Sequence, residues 1–318
     1  MISCTLPYQE PEKTSYKADE MILRKINEIE RSVLKISCSA FYENYDFGEP
    51  LLENEISNDL NVYKKRLTTK TVAGTGLILL QNPESILLVT VFHLFNFEDT
   101  LKTYYMGKNN KSTNLLHSLS IKTGDAIFVG HKNSTNSRGN LIAWDEANDL
   151  ALIETPSSQN KLSELPFAGK IEKSVNIKLG QPLYLLGFPR GFFMVSRGLA
   201  SPSKYKNKFI VDVSFNRGSS GSIVFTIDLK NNSYKYVGMA NMMAYDSQHV
   251  LAPAENTTIS NHDESLIYEG ESYIKELKLI NYGLTFVIKS DVIFEFLHEN
   301  RVLLSQYGFY GIYDIIKK

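Results

Sequence analysis

Cysteine is nearly absent from this chain of 318 residues, which contains only Cys4 and Cys38. Two cysteines exclude a disulfide-stapled scaffold, although they do not exclude an oxidising compartment. Cys38 lies in the apolar alternation VLKISCSAF, and we interpret it as a small buried residue. Cys4 precedes a stretch rich in Pro, Glu, Lys and Tyr, which would also fit a lipoprotein whose signal peptide has been removed. The compartment therefore stays open between a bacterial extracytoplasmic one and the cytoplasm.

An excess of one charge is also missing, because 34 Lys and Arg face 35 Asp and Glu for a net charge of −1. Without a strong basic field, neither nucleic acid nor an anionic membrane surface is indicated as a partner. Long hydrophobic runs are absent as well, and none could span a bilayer. Hydrophobic residues at 43% and charged residues at 22% are ordinary for a soluble globular protein.

Short β-branched or aromatic runs, bounded by Gly, Asn, Pro or Ser, follow one another from residue 33 to residue 289. This pattern predicts an all-β sandwich or barrel rather than alternating strands and helices. Apolar residues at helical spacing predict one helix over about 17–32. A second helix is predicted from residue 290, with Ser290 or Asp291 as N-cap and with Phe294, Leu297 and Val302 on one side.

A polar segment at 156–175, punctuated by Ser and Pro, separates two runs of strands and predicts a domain boundary. We expect a polar tail and helix in 1–32, an N-terminal β-barrel in 33–165, a C-terminal β-barrel in 166–298 and a C-terminal extension in 299–318.

Three short motifs contain residue types that together can perform nucleophilic catalysis. His93 ends the apolar run ILLVTVFH, Asp149 opens the apolar run DLALIE, and Ser220 stands between glycines in NRGSSGS. A serine hydroxyl needs a base to accept its proton, and the base needs a carboxylate to fix its tautomer. A glycine two residues before the serine allows two N–H groups to face one point, which makes the amides of Gly218 and Ser220 a candidate oxyanion hole.

These ordered motifs resemble those of trypsin-like, chymotrypsin-fold serine peptidases, closest to the HtrA/DegP group. The run from GTGLILL to His93 is similar to that group's first hairpin, NDLALIE to its aspartate motif and DVSFNRGSSGS to its nucleophile motif. The resemblance covers roughly 32–298. It implies two six-stranded antiparallel β-barrels, with N-terminal and C-terminal helices and with the active site between the barrels. Residues 299–318 are too few for the PDZ domain that many members carry.

The resemblance implies that the protein is a serine endopeptidase, which acts on polypeptide substrates and needs no metal or organic cofactor. The oligomeric state is not indicated. Arg217 and Ser222 replace a common proline and glycine beside the nucleophile, which could alter the resting loop. A catalytically silent or partner-activated binding protein on the same fold is therefore the alternative. An α/β-hydrolase would instead need a helix after Ser220 and a histidine late in the chain, such as His249, His262 or His298.

The substrate pocket is less well defined than the triad. The position six residues before the nucleophile is Ser214, so no acid is expected at the pocket base to select Lys or Arg. Met239, Asn241 and Met243 are expected near the pocket wall, with small or medium apolar side chains preferred before the cleaved bond.

Overall fold

The computed structural model describes residues 13–106, 112–131, 137–157, 177–253 and 272–316. Within them it has four helices: α1 (Lys13–Glu30), α2 (Ser290–Glu299), α3 (Arg301–Gln306) and α4 (Ile312–Ile316). The strands, in chain order, are β1 (Val33–Leu51), β2 (Lys64–Gln81), β3 (Ser85–Thr90), β4 (Thr100–Met106), β5 (Ser112–Gly130), β6 (Ser137–Asp145), β7 (Leu150–Pro156), β8 (Pro182–Gly187), β9 (Met194–Ser201), β10 (Lys208–Val211), β11 (Ile223–Asp228), β12 (Ser233–Pro253) and β13 (Ser272–Lys289).

The first seven strands build the first barrel. Their order is β1-β2-β3-β7-β6-β5, and the pairing of β1 with β5 closes the ring, while β4 adds to the outer edge of β5. All pairings are antiparallel. Strand β3 is buried along its whole length and pairs with β7, whose first four residues are also buried. These two strands hold two of the candidate catalytic residues at their ends.

The second barrel is a closed ring in the order β10-β13-β12-β11-β8-β9. Its interior packs Leu183, Val211, Val224 and Val287 into a second hydrophobic cluster. The predicted fold of two six-stranded antiparallel barrels with helices at both ends is therefore confirmed. The predicted boundary at 165/166 lies outside the described residues, as do Cys4 and His262.

The strands extend further than the sequence pattern indicates. Strands β4 and β5 both lie within 98–140, between the histidine and aspartate motifs, and β12 pairs with β13 as far as Pro253 and Ser272. Strands β1, β2 and β5 also continue beyond the first barrel, where Tyr45, Phe47 and Leu116 form a small core of their own. Strands in which apolar side chains alternate with exposed polar ones can thus still pair where a local apolar cluster supports them.

The helices pack on the barrels of the same chain. Helix α1 buries Ile29 in the main core, and its Arg24 donates to Asn232 in the β11–β12 turn over 3.0 Å. Helix α2 buries Phe294 and Leu297 as expected. Val302 lies instead in the first turn of α3, after the break at Asn300, and is 56% exposed. The N-cap residue of α2 is Lys289, not Ser290 or Asp291. Across the described ranges, the helices are each too short or too polar to cross a membrane.

Candidate active site

His93 is presented at the surface by the buried strand β3. The chain leaves β3 through one turn of 3₁₀ helix at Phe92–Leu94, and Val91 and Leu94 on either side are both 0% exposed. These two apolar anchors fix the turn from below. The His93 side chain, which lies between them in sequence, keeps 42% of its surface accessible. A histidine in this position is held in place and still reachable by a substrate.

Asp149 lies in a tight turn that aims its carboxylate at His93. Its backbone has φ of 57°, a left-handed conformation that aspartate adopts more readily than most residues. The turn is held by Asp145, whose carboxylate accepts from both the backbone and the side chain of Asn148 over 3.0 and 2.6 Å. The Asp149 carbonyl accepts from Phe92 N over 3.2 Å, so the two turns are joined through the backbone as well.

Ser220 lies on a loop that needs glycine on both sides. Gly218 and Gly221 have φ of 94° and 83°, in the left-handed region. A Cβ atom on Gly218 would collide with the Phe188 carbonyl oxygen, and one on Gly221 with the Thr75 carbonyl oxygen. The two glycines therefore permit both the turn and its close approach to the neighbouring backbone. Ser220 itself is 9% exposed.

The three predicted side chains meet in one line of hydrogen bonds. His93 Nδ1 lies 2.7 Å from Asp149 Oδ2, and His93 Nε2 lies 2.9 Å from Ser220 Oγ. The backbone N–H of His93 also donates to Asp149 Oδ1 over 2.7 Å. Because an ionised carboxylate only accepts, the proton of the neutral imidazole is on Nδ1. Nε2 is then the acceptor for the Ser220 hydroxyl, which is the arrangement that a general base requires.

Asn241 extends this line beyond the carboxylate. Its side-chain N–H donates to Asp149 Oδ2, and its side-chain oxygen accepts from Lys208 Nζ over 2.7 Å. Burial lowers the pKa of Lys208, and the nearby Asp149 carboxylate opposes that shift. A half-buried cation thus lies behind the line of His93, Asp149 and Ser220 and is linked to it by one amide.

A β-bulge explains why Asn241 points at Asp149 and not into a substrate pocket. Ala240 pairs with Val287 and Met242 with Phe286, which leaves Asn241 as the extra residue in strand β12. An extra residue interrupts the alternation of side chains and re-aims one of them. In a regular strand, a residue next to the buried Ala240 would face the opposite side. Because of the bulge, Asn241 is buried as well, at 3% exposed.

Two backbone N–H groups beside Ser220 are available to a substrate. Gly218 N and Ser220 N donate to no protein acceptor in the described part of the chain. The Arg217 carbonyl accepts from Arg190 N over 2.6 Å. Since the carbonyl and the N–H of one trans peptide point in opposite directions, the Gly218 N–H points away from Arg190. Both donors belong to the loop that lines the cleft at Ser220.

A cleft of about 630 Å³ opens at Ser220 between strand β2 and the loops of the second barrel. Met243 and Phe215 contribute apolar surface to it. Met239 does not, because it is 0% exposed and packs in the core between its strand partners Ile223 and Ile288. Ser214 is exposed and is not among the residues that line the cleft.

Thr75 is a buried polar residue that the motifs do not single out. It lies in β2 of the first barrel, and its N–H donates to the Ser220 carbonyl over 2.8 Å. Its hydroxyl donates to the Gly218 carbonyl over 3.0 Å and accepts from Phe188 N over the same distance. The one signal in the sequence is its position in the stretch GTGLILL, as a polar residue that begins an apolar strand interior. Ser222, which replaces a common glycine beside the nucleophile motif, is also 0% exposed, and its N–H donates to the Ser219 carbonyl in a tight turn.

The residue after the nucleophile loop begins strand β11 and not a helix, which removes the geometry of an α/β-hydrolase. His249 lies on the exposed extension of β12, and His298 lies in helix α2. Neither is part of the line at Ser220. In the described ranges, His, Cys, Asp and Glu side chains form no group of three or more that could hold a metal ion.

Two closed six-stranded barrels with this site at their junction define a protein of the trypsin-like fold. Residues 74–231 match the family model described as "Trypsin-like peptidase domain". No curated protein matches the chain. Among solved structures it is similar to the serine endoprotease from Yersinia pestis, with 15% sequence identity and a TM-score of 0.45 over 92% of this chain and 67% of that one.

Proposed function

We propose that the protein is a serine endopeptidase whose catalytic triad is His93, Asp149 and Ser220. The observation that supports this most directly is the continuous line from Ser220 Oγ through the imidazole to the Asp149 carboxylate, with links of 2.9 and 2.7 Å. Both distances lie within the range at which a hydroxyl can pass its proton to a base. A role in protein quality control or regulated proteolysis, as in the HtrA/DegP group, rests on the sequence motifs alone.

The reaction follows from the groups that surround a peptide bond in the cleft. Ser220 Oγ attacks the carbonyl carbon while His93 Nε2 accepts the hydroxyl proton, and Asp149 stabilises the resulting imidazolium. The amides of Gly218 and Ser220 donate to the oxyanion of the tetrahedral intermediate. His93 then gives the proton to the departing amine, which leaves an acyl-enzyme. Water, deprotonated by the same imidazole, releases the acyl group and restores Ser220.

The alternative, a silent or partner-activated protein, has less support. It requires a resting loop in which the base is out of reach or the oxyanion donors are occupied. Here His93 Nε2 already lies within hydrogen-bonding distance of Ser220 Oγ, and Gly218 N and Ser220 N are both unoccupied by protein acceptors in the described residues. Arg217 contributes to this arrangement through the bond from Arg190 N to its carbonyl.

A fluorophosphonate probe tests the proposal, because an activated serine displaces fluoride from phosphorus and becomes covalently labelled. We expect labelling of the purified chain at Ser220, its loss in Ser220→Ala, and a fall in casein hydrolysis of about 10⁴-fold or more in that variant. Ser214→Ala is the matched control, since Ser214 is exposed and lies outside the cleft lining. Casein hydrolysis by Ser220→Ala at the wild-type rate would exclude this mechanism. Labelling that requires an added partner would favour the partner-activated alternative.

A further inference from the structure

Among the described residues, the charged side chains that line the cleft at Ser220 are all cations. Lys35, Lys70, Arg190 and Arg217 contribute to its walls, whereas no Asp or Glu of the described ranges does. The chain as a whole carries a net charge of −1. The cation excess is therefore a local property of this cleft and does not reflect the composition of the protein.

None of these four side chains forms an ion pair or a side-chain hydrogen bond in the part of the chain that the structure describes. Basic residues further along strand β2 behave differently. Lys65 pairs with Glu43 over 2.5 Å, and Arg66 pairs with Asp46 over 3.3 Å. Lys70 lies on the same strand and faces the cleft without an acidic partner on β1. Among the described residues, no acidic side chain occupies the cations at Ser220.

The four cations converge from separate parts of the fold. Lys35 and Lys70 come from strands β1 and β2 of the first barrel, while Arg190 and Arg217 come from two loops of the second. The two arginines are held together by the bond from Arg190 N to the Arg217 carbonyl, and Arg190 has a left-handed φ of 52°. Holding a non-glycine residue in this sparsely populated backbone region costs free energy, and such outliers cluster at ligand sites.

We infer that the cleft selects polypeptide segments with acidic side chains next to the bond that is cleaved. This inference rests on the proposed function, because it assigns the substrate class of the same site. Cations of one sign in a cleft with low-dielectric walls concentrate anionic ligands and repel cationic ones. The apolar surface of Val72, Phe215 and Met243 in the same cleft suits a peptide with apolar residues beside its carboxylates.

The first measurement uses the Ser220→Ala variant, so that binding is observed without turnover. Two fluorescent peptides are compared by anisotropy, identical except that two Asp residues beside the scissile bond are replaced by Asn. We expect the Asp peptide to bind about fivefold or more tightly, which is the scale of one well-formed ion pair near a surface. Rising salt should reduce that preference, because partly exposed charges are screened.

Charge reversal then tests which residues carry the preference. We expect Lys70→Glu and Arg190→Glu, each in the Ser220→Ala background, to lose the preference for the Asp peptide. Lys230→Glu makes the same change in net charge in the turn beyond the far end of β11, and it should keep the preference. Equal binding of the two peptides, an unchanged preference in both cleft variants, or tighter binding of a single-stranded oligonucleotide than of the Asp peptide would overturn the inference.

Turnover separates failure of this inference from failure of the proposed function. With the wild-type residue at 220, the Asp peptide should be cleaved with a kcat/KM about fivefold or more above that of the Asn peptide. If fluorophosphonate labels Ser220 but the two peptides are cleaved equally, the inference is wrong and the endopeptidase proposal stands. If nothing labels Ser220 but the Asp peptide still binds selectively, the endopeptidase proposal is wrong and the preference of the cleft for acidic peptides stands.

Discussion

The hydroxyl of Thr75 in the first barrel donates to the carbonyl of Gly218 in the second barrel over 3.0 Å. The same hydroxyl accepts from Phe188 N, and the Thr75 backbone N–H donates to the carbonyl of Ser220. One residue outside the triad thereby fixes the peptides on both sides of the nucleophile. The shape of the nucleophile loop depends on contact between the barrels as well as on its own glycines.

Replacing Thr75 by Val keeps the shape of the side chain but removes its hydrogen bonds. The Gly218 carbonyl and Phe188 N would then lose a partner at a position where Thr75 is 0% exposed. Each buried polar group without a partner costs about 1–3 kcal/mol, so we expect the free energy of unfolding to fall by about 1 kcal/mol or more. We expect the rate of fluorophosphonate labelling to fall about tenfold as the loop loses its fixed geometry. Urea denaturation and labelling kinetics measure the two effects.

Thr75→Ser is the matched control for that variant, because it restores the hydroxyl. It should recover most of the labelling rate, although the missing methyl group leaves a small loss of stability. If Thr75→Val labels as fast as the wild type, the hydroxyl does not position the loop.

Gly218→Ala should lower activity by a different route. The residue has φ of 94°, and an added Cβ would collide with the Phe188 carbonyl oxygen. The loop has to move, and the Gly218 N–H moves with it, at a cost of about 10²-fold or more in kcat if that amide is an oxyanion donor. Gly124→Ala is the control, since a Cβ there meets no atom within 4 Å. Steady-state kinetics on a peptide substrate compare the two, and an active Gly218→Ala would remove Gly218 from the oxyanion hole.

Cys38 should be unreactive in the folded protein. It is 1% exposed, and burial, with a smaller contribution from Asp125, raises the pKa of its thiol from the ordinary 9.0 to about 12. In a Cys4→Ser background, the thiol reagent DTNB should therefore react with Cys38 only as the chain unfolds. Fast reaction of the native protein would contradict the burial of Cys38 in the first barrel.

The same shift predicts a change of stability with pH. The unfolded chain releases the thiol proton first as pH rises, whereas the folded chain retains it. The contribution of Cys38 to stability is therefore fully present below about pH 9 and is lost progressively between pH 9 and 12. Urea denaturation of Cys38→Ala, compared with its parent across that range, isolates this effect from the titration of tyrosines. Parallel stability curves for the two proteins would contradict it.

The sequence is informative where a short motif fixes local geometry. His93 after a buried strand, Asp149 before one and Ser220 between two glycines each depend on neighbours within a few residues. The succession of short apolar strands predicts an all-β sandwich or barrel, and the resemblance of the three motifs to trypsin-like peptidases implies the two six-stranded barrels. These features are local in the chain, so their signal survives without knowledge of the tertiary structure.

Other parts of the site depend on irregular pairing or on distant contacts. The bulge at Asn241 turns its side chain to Asp149, and regular alternation along β12 gives no sign of it. Met239 reads as a wall of the pocket but faces the core, because the inward face of β12 is set by pairing with β11 and β13. The cations of the cleft, such as Lys35 and Arg217, are separated by most of the chain and meet only after the barrels dock.

His93 and Asp149 belong to one barrel and Ser220 to the other, so neither half of the chain contains the whole proposed triad. Under the proposed mechanism, reactivity of Ser220 therefore requires the two barrels to be docked. When the two halves are produced as separate polypeptides, we expect that neither is labelled by a fluorophosphonate alone and that Ser220 is labelled only after they are mixed. A ligand or surface that weakens the contact between the barrels should therefore abolish labelling of Ser220 without contacting His93, Asp149 or Ser220.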